Sequence, residues 1–219
     1  MIGYRLVCLG IGYLFGLFQT SYFVGKAHHI DIRKVGSGNA GSTNTLRVLG
    51  RRAGLLVLLG DVMKCVVAIL LAGYLFREKG REILPLLKMY TAAGCVLGHN
   101  YPFYLGFKGG KGIAASLGMM IAIDWRVTCI LMTVFLIIFF TTHYVSLGSI
   151  FAYLTGLAGI VIFGALGFYG MDLAHTIEMD VIMALLTLQA IIKHRENIKR
   201  LIAGSERKTY LGSRKKSDQ

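Results

Sequence analysis

Four polar stretches of this 219-residue chain combine residue types that bind anions or move protons. Residues 36–47 read GSGNAGSTNTLR, 98–112 read GHNYPFYLGFKGGKG, 141–149 read TTHYVSLGS and 193–200 read KHRENIKR. In the first, Gly36, Gly38 and Gly41 permit backbone conformations that expose successive N–H groups. Ser37, Asn39, Ser42, Thr43 and Asn44 add short polar groups, and Arg47 adds a planar, fixed charge. Such a loop would cradle a phosphate. Equally, its Gly, Ser and Asn would serve the turns of a plain connector.

In the second stretch Lys108 and Lys111 flank Gly109 and Gly110, and Gly112 opens a short apolar run. Backbone amides at a helix start there would favour an anion. Gly112 stands where a P-loop carries Ser or Thr, so no nucleotide is implied. A positive-inside anchor is the plainer account of two lysines; the interleaved glycines favour binding. His99 and Asn100, just before Pro102, suit a structural helix end as well as a catalytic role. In the last stretch His194 and Asn197 are three apart, on one helical face if the final span continues. Glu196 and Arg200, four apart, would pair on another face. A histidine at a membrane boundary often meets only headgroups. Beside a carboxamide, and on the same side as two anion cradles, His194 reads better as a catalytic or substrate contact.

The elements that must position these residues are membrane helices. The chain is 55% hydrophobic and only 16% charged, with a formal charge of +13 and a mean hydropathy of +0.61. Soluble domains carry about 25% charged residues, and disorder is excluded by the same hydrophobicity. Cys8, Cys65, Cys95 and Cys129 each stand alone in an apolar run, without the spacing of a disulfide scaffold or metal site. Residues 6–25, 89–107, 127–142 and 147–171 carry no charge, and 53–76 is broken only by Asp61 and Lys64. Each approaches the ~20 residues of a spanning helix. The shorter runs 112–123 and 181–192 need their polar neighbours to complete a crossing. The expected fold is all-α, a polytopic transmembrane helix bundle of about seven spans.

Seven spans put the chain ends on opposite sides. Lys26, Arg33, Lys34, Arg47, Arg51, Arg52, Lys108, Lys111 and the cations from 193 onward then share one side, against Arg5, Arg77, Lys79, Arg81, Lys88 and Arg126. The excess predicts a cytoplasmic C-terminus and an N-terminus outside, although the 77–88 loop runs against that rule. All four polar stretches fall on the cytoplasmic side. No cleavage site follows the first apolar run, which should remain as an anchor, and its Gly12–Gly16 step permits close helix approach. Asp61 and Lys64 read first as a mutually neutralising pair, with a proton pathway as the functional alternative. The expected organisation is one membrane domain, 1–204, and a basic cytoplasmic tail, 205–219, lying against anionic headgroups.

With SGNAGSTNTLR at 37–47, GHNYPFYLGFKGGKG at 98–112 and KHRENIKR at 193–200, the chain closely resembles the bacterial acyl-phosphate:glycerol-3-phosphate acyltransferases, integral membrane enzymes of phospholipid synthesis. The resemblance implies transfer of a fatty acyl group from an acyl phosphate to the 1-hydroxyl of sn-glycerol 3-phosphate, releasing phosphate and 1-acyl-glycerol 3-phosphate (lysophosphatidic acid). It implies a multi-pass protein of the bacterial inner membrane with membrane lipids around it and its active site on the cytoplasmic side. It implies no cofactor, no metal and no nucleic acid, with other enzymes of phospholipid synthesis as candidate partners. Position by position, it implies Ser37 and His194 as catalytic residues. Gly38, Asn39, Asn44 and Arg47 of the first motif would bind substrate, as would Lys108, Gly109, Gly110, Lys111 and Gly112 of the second. Ser146 and Asn197 would join them, with Glu196 and His99 as structural support. A transporter of phosphorylated solutes is the main rival, weakened by charged motifs clustering at one face and not at the midplane. A membrane anchor recruiting an acidic partner or nucleic acid through the basic tail is the other.

Overall fold

A computed structural model describes residues 2–210. Expectations placed on 211–219 of the basic tail lie outside the described residues. Among those described there are helices and no strands: α1 (Ile2–Gly16), α2 (Thr20–Ala27), α3 (Ser42–Leu49), α4 (Arg51–Leu75), α5 (Leu84–Asn100), α6 (Ile113–Ile123), α7 (Trp125–Thr142), α8 (Val145–Ala165), α9 (Leu173–Lys193) and α10 (Arg195–Ile202). Five segments are long and apolar enough to cross a membrane: Ile2–Ala27, which joins α1 and α2, and α4, α7, α8 and α9. The sequence led us to expect seven. The other two runs do form helices, but α5 has 17 residues and α6 has 11. At 1.5 Å per residue these rise about 26 and 17 Å, against roughly 30 Å of hydrocarbon. α6 is short because Asp124 ends it and caps α7, accepting from the Arg126 amide at 2.9 Å.

α5 is the spine of the bundle, with Leu86, Leu87, Met89, Ala92, Cys95 and Val96 fully buried. α1 lies along it backbone to backbone. A Cβ added at Gly12 or Gly16 would overlap the carbonyl oxygen of Thr91 or Cys95. Reciprocally, one at Gly94 or Gly98 would overlap that of Leu9 or Tyr13. Two small-residue steps thus face each other, of which only the one in α1 was singled out from the sequence. At the end of the bundle far from the polar loops, Arg5 Nη2 pairs with Glu178 Oε2 at 2.7 Å and Tyr90 donates to Glu178 Oε1 at 2.6 Å, tying α1, α5 and α9 together.

The first apolar run is not one straight helix. It breaks at 17–19, and the break explains the ionisable pair in α4. Lys64 Nζ donates to the freed carbonyl of Phe18 at 2.7 Å, to Asp61 Oδ1 at 2.8 Å and to His99 Nδ1 at 2.9 Å. Asp61 Oδ1 also accepts from Thr20 Oγ1 at 3.0 Å. The neutralising pair expected from the sequence is present, and it also caps the C-terminal end of α1, where a cation is favoured.

Candidate active site

The polar loops converge on one cavity of about 860 Å³. Ser37, Arg47, Lys111, His194, Asn197, Arg200 and Glu206 line its polar mouth. Its other walls are apolar, with Leu117, Met120, Phe135, Phe139 and Met183 among them. Along α7 this arm runs from Leu131 to Phe140, about 13 Å of helix rise. One concavity therefore joins a charged end to an oily end.

The 36–41 loop is held from within. The buried Asn44 accepts the Ser37 amide on Oδ1 at 2.8 Å and donates Nδ2 to the carbonyls of Ile32 and Val35 at 3.0 and 3.1 Å. Gly36 and Gly38 have φ of +63° and +71°, a region glycine tolerates without strain. Asn44 is thus spent on shaping the turn. The amides of Gly38 and Gly41 are also taken, by Val35 and Asn39 carbonyls at 3.0 Å each. In the second loop the Gly109 and Gly110 amides bond to the carbonyls of Asn100 and His99 at 3.2 Å each. These four glycine amides are bonded within the protein, where the sequence suggested amides turned toward a phosphate. The charged groups on the cavity wall are side chains, Arg47 and Lys111 among them. Any side chain at Gly109 would overlap the His99 carbonyl, and at Gly110 the imidazole of His99, so these glycines let the loop lie flat on the end of α5. Gly112, with φ of +83°, is the left-handed residue that starts α6.

Lys111 donates to Asn197 Oδ1, joining the second motif to the last. Burial pushes its ammonium down to about 8; Glu206 opposes the shift, and Arg200 and Arg47 add to it. Lys108 points elsewhere: it is exposed and is not among the residues of the cavity wall. Arg47 lines the cavity and reaches across to Thr209 Oγ1 at 2.6 Å and to the Arg207 carbonyl at 3.2 Å.

His194 is 2% exposed. The last span does not continue through it, as the sequence reading supposed; α9 stops at Lys193 and α10 starts at Arg195, with His194 at the joint. Its Nδ1 lies 2.7 Å from the Ala190 carbonyl, which accepts a hydrogen bond and can donate none, so Nδ1 carries the hydrogen and Nε2 the lone pair. Burial, followed by the Lys111 charge, pushes the imidazole down to about 4. It stands neutral at pH 7.

Glu196 does not pair with Arg200. It lies near the exposed Arg195 and Lys199, at 3.5 and 3.2 Å. Arg200 turns instead to Glu206, Nε to Oε2 at 2.7 Å, and Glu206 Oε1 accepts from Ser146 at 2.8 Å and from Asn197 at 2.6 Å. Burial works against ionisation of Glu206, but these three hydrogen bonds outweigh it and hold its carboxyl below the ordinary carboxylate value. Sequence reasoning missed Glu206 by assigning 205 onward to a tail. Instead, the Thr209 amide bonds to the His143 carbonyl at 2.9 Å, and Glu206 and Thr209 are buried. The available signal was an acidic residue in an otherwise basic stretch. His99 and Asp61 line the cavity from below. No cluster of three or more possible metal-ligating His, Cys, Asp or Glu occurs among the described residues.

The profile of a family described as "Glycerol-3-phosphate acyltransferase" matches residues 6–204. The chain is 44% identical to the glycerol-3-phosphate acyltransferase of Clostridioides difficile (strain 630), covering 94% of each. It is 42% identical to that of Shouchella clausii (strain KSM-K16), over 90% of this chain and 92% of that one. Its fold superposes on the crystal structure of PlsY, an integral membrane glycerol 3-phosphate acyltransferase, in its glycerol 3-phosphate form. The TM-score is 0.79 at 33% identity, covering 94% of this chain and 96% of that one. The lysophosphatidic acid form of the same enzyme gives 0.77 at 32% identity, over 93% and 94%.

Proposed function

Since this chain belongs to the glycerol-3-phosphate acyltransferase family, we propose that its cavity is where a fatty acyl group passes from an acyl phosphate to the 1-hydroxyl of sn-glycerol 3-phosphate. The products are 1-acyl-glycerol 3-phosphate and inorganic phosphate. The observation that carries this reading is the continuity of the cavity, with Arg47 and Lys111 at one end and Phe135, Phe139 and Met183 along the other. A phosphorylated acceptor suits the first, and a donor with a fatty chain needs both.

Arg47 and Lys111 hold the acceptor's phosphate, and Ser37 steadies the acyl phosphate. An acyl phosphate is already activated, so holding the hydroxyl against its carbonyl supplies much of the acceleration, on the order of 7–11 kcal/mol in favourable cases. The cations neutralise charge on the departing phosphate. The hydroxyl oxygen bonds to the acyl carbon, the acyl–oxygen–phosphorus bridge breaks on the acyl side, and the hydroxyl proton ends on the phosphate. It travels directly or through Nε2 of His194, the ring nitrogen that carries the lone pair. Asn197, bonded to both Lys111 and Glu206, holds the lysine in place for the acceptor.

The multi-pass chain lies, in this reading, in a bacterial inner membrane. α5 and α6 complete seven crossings, the N-terminus is outside and the cavity mouth faces the cytoplasm. The cations Arg33, Lys34, Arg51 and Arg52, in the segments that flank Arg47 in the chain, support that orientation.

The test is a donor comparison with the purified full chain. Acyl phosphate and sn-glycerol 3-phosphate should give lysophosphatidic acid and phosphate in equal amounts, while acyl-CoA and acyl carrier protein give none. Product from either of those donors, or none from acyl phosphate, would overturn the proposal.

A further inference from the structure

The apolar arm of the cavity has a floor. On each of four helices the wall residue farthest from the polar mouth is large: Met120 of α6, Leu131 of α7, Tyr153 of α8 and Met183 of α9. All four are buried, whereas Leu136 and Phe140, nearer the mouth on α7, line the same cavity and are exposed. Three of the four tips meet at one point. A Cβ added at Gly156 of α8 would lie 3.0 Å from Met120 Cε and 3.5 Å from both Leu131 Cδ2 and Met183 Cε. The bare glycine backbone lets these side chains converge from three helices, and Gly156 itself is outside the cavity wall. Tyr153 stands one turn of α8 nearer the mouth, its hydroxyl bonded to Ser116 of α6. One turn beyond the meeting point, Val127, Ile160 and Met179 are fully buried and do not line the cavity, so packed core lies beneath it. Along α9 the arm covers about 15 Å of helix rise between Lys193 and Met183.

We propose that Met120, Leu131 and Met183, meeting against Gly156, form a stop that sets the longest acyl chain the enzyme transfers efficiently. This rests on the reading of the cavity as the acyl-transfer site. With its carbonyl held beside His194, a donor has its methyl end at a fixed depth in the arm. A donor that comes from the bilayer exchanges one apolar surrounding for another, so burial alone discriminates little between homologues. Fit does. The packed interior below the stop yields little to added methylenes, and a chain too long for the arm draws its carbonyl away from the acceptor hydroxyl, where a small misplacement is costly. The exposed Leu136 and Phe140 mark the opposite course, in which a chain runs out sideways into lipid and meets no stop.

The experiment gives the full chain in lipid nanodiscs an equimolar mixture of saturated acyl phosphates, octanoyl to stearoyl, together with sn-glycerol 3-phosphate. Mass spectrometry at low conversion reads the chain lengths of the lysophosphatidic acids formed. Such competition reports ratios of kcat/KM, so the result does not depend on how much of a variant is folded. The wild type should show an optimum, with product falling about tenfold or more beyond it, as for an overfilled interior site. Met120→Ala and Met183→Ala should each move the optimum to longer chains. Ala152→Leu, on the cavity wall one turn nearer the mouth than Gly156, should move it to shorter ones. A wild-type distribution without a fall at the long end, or one that both alanine variants leave unchanged, would overturn the proposal and favour the sideways course past Leu136 and Phe140. A wild-type chain that made no lysophosphatidic acid from any acyl phosphate would overturn it together with the reading on which it rests.

Discussion

Glu206 Oε2 receives the Arg200 Nε at 2.7 Å, with the glutamate side chain 4% exposed and the arginine 38%. This pair lies on the cavity wall and ties it together, because the other oxygen of the same carboxylate holds Ser146 of α8 and Asn197 of α10. Removing the carboxylate leaves two buried donors unsatisfied and three cations, Arg47, Lys111 and Arg200, without their shared anion. Glu206→Ala should lower stability by about 1–3 kcal/mol, read as a fall in Tm in detergent. Glu206→Gln keeps an acceptor for Ser146 and Asn197 and should lose less. Equal losses in the two variants would mean that the charge, and not the acceptor, is what the fold uses.

The two lysines of the GFKGGKG stretch separate cleanly. Lys111 lines the cavity and Lys108 does not. Lys111→Ala should raise KM for sn-glycerol 3-phosphate by about 10- to 100-fold, the range for a charged hydrogen bond. Lys108→Ala should leave KM and kcat within about twofold, as for an exposed charge. Steady-state kinetics of both variants decide the matter.

Lys111 also sets an alkaline limit. With its ammonium held at about 8, kcat/KM for sn-glycerol 3-phosphate should fall as pH rises through about 8, as the free protein loses that charge. Lys111→Arg should move the limb upward, because guanidinium stays charged. Stability runs in the opposite sense. Between the folded value of about 8 and the ordinary value of 10.5, the unfolded chain binds more protons than the native one, so stability rises with pH across that window. A kinetic limb unmoved by the arginine variant would place the titration on another group.

His194 predicts an acid limb lower than an ordinary histidine would give. Its imidazole is held at about 4, so the loss of kcat/KM that belongs to this residue should centre near pH 4, and His194→Gln should abolish it. The native state binds fewer protons than the unfolded chain between about 4 and the ordinary 6.5, so stability falls as pH drops through that interval. A pH-rate profile extended below 5 reads the first effect, and Tm against pH reads the second.

The α1–α5 seam is a test of packing alone. Gly16→Ala or Gly98→Ala drives a methyl into a backbone carbonyl, whereas Gly3 and Gly10 face open space. The first two should cost about 1–3 kcal/mol, measured as Tm. Gly10→Ala should be neutral or slightly stabilising, since alanine favours helix.

The helical fold and the gathering of the four polar stretches were legible in the sequence because apolar runs and Gly/Ser/Asn-rich loops obey local chemistry. Three features were not. The break at 17–19 carries no proline, and its cause is tertiary: Lys64 and Tyr104 satisfy the freed carbonyls of Phe18 and Leu17 only once α4 and the loop after α5 are packed against α1. Glycines 38, 109 and 110 suggested exposed amides, but whether an amide is free depends on which carbonyl lies opposite, and here the Val35 carbonyl and the last two carbonyls of α5 take them. Glu206 lay in a basic, polar stretch whose composition suggests a tail, and only the assembled cations of α3, α10 and the second loop make a buried carboxylate favourable there.

The central claim, that the cations of the mouth hold a phosphate beside His194, is tested most directly by a crystal or cryo-EM structure of the full chain with sn-glycerol 3-phosphate. The account predicts phosphorus density in contact with Arg47 and Lys111, with the 1-hydroxyl turned toward Nε2 of His194. Density on Lys108 or outside the cavity, with Lys111 still bonded only to Asn197, would contradict it.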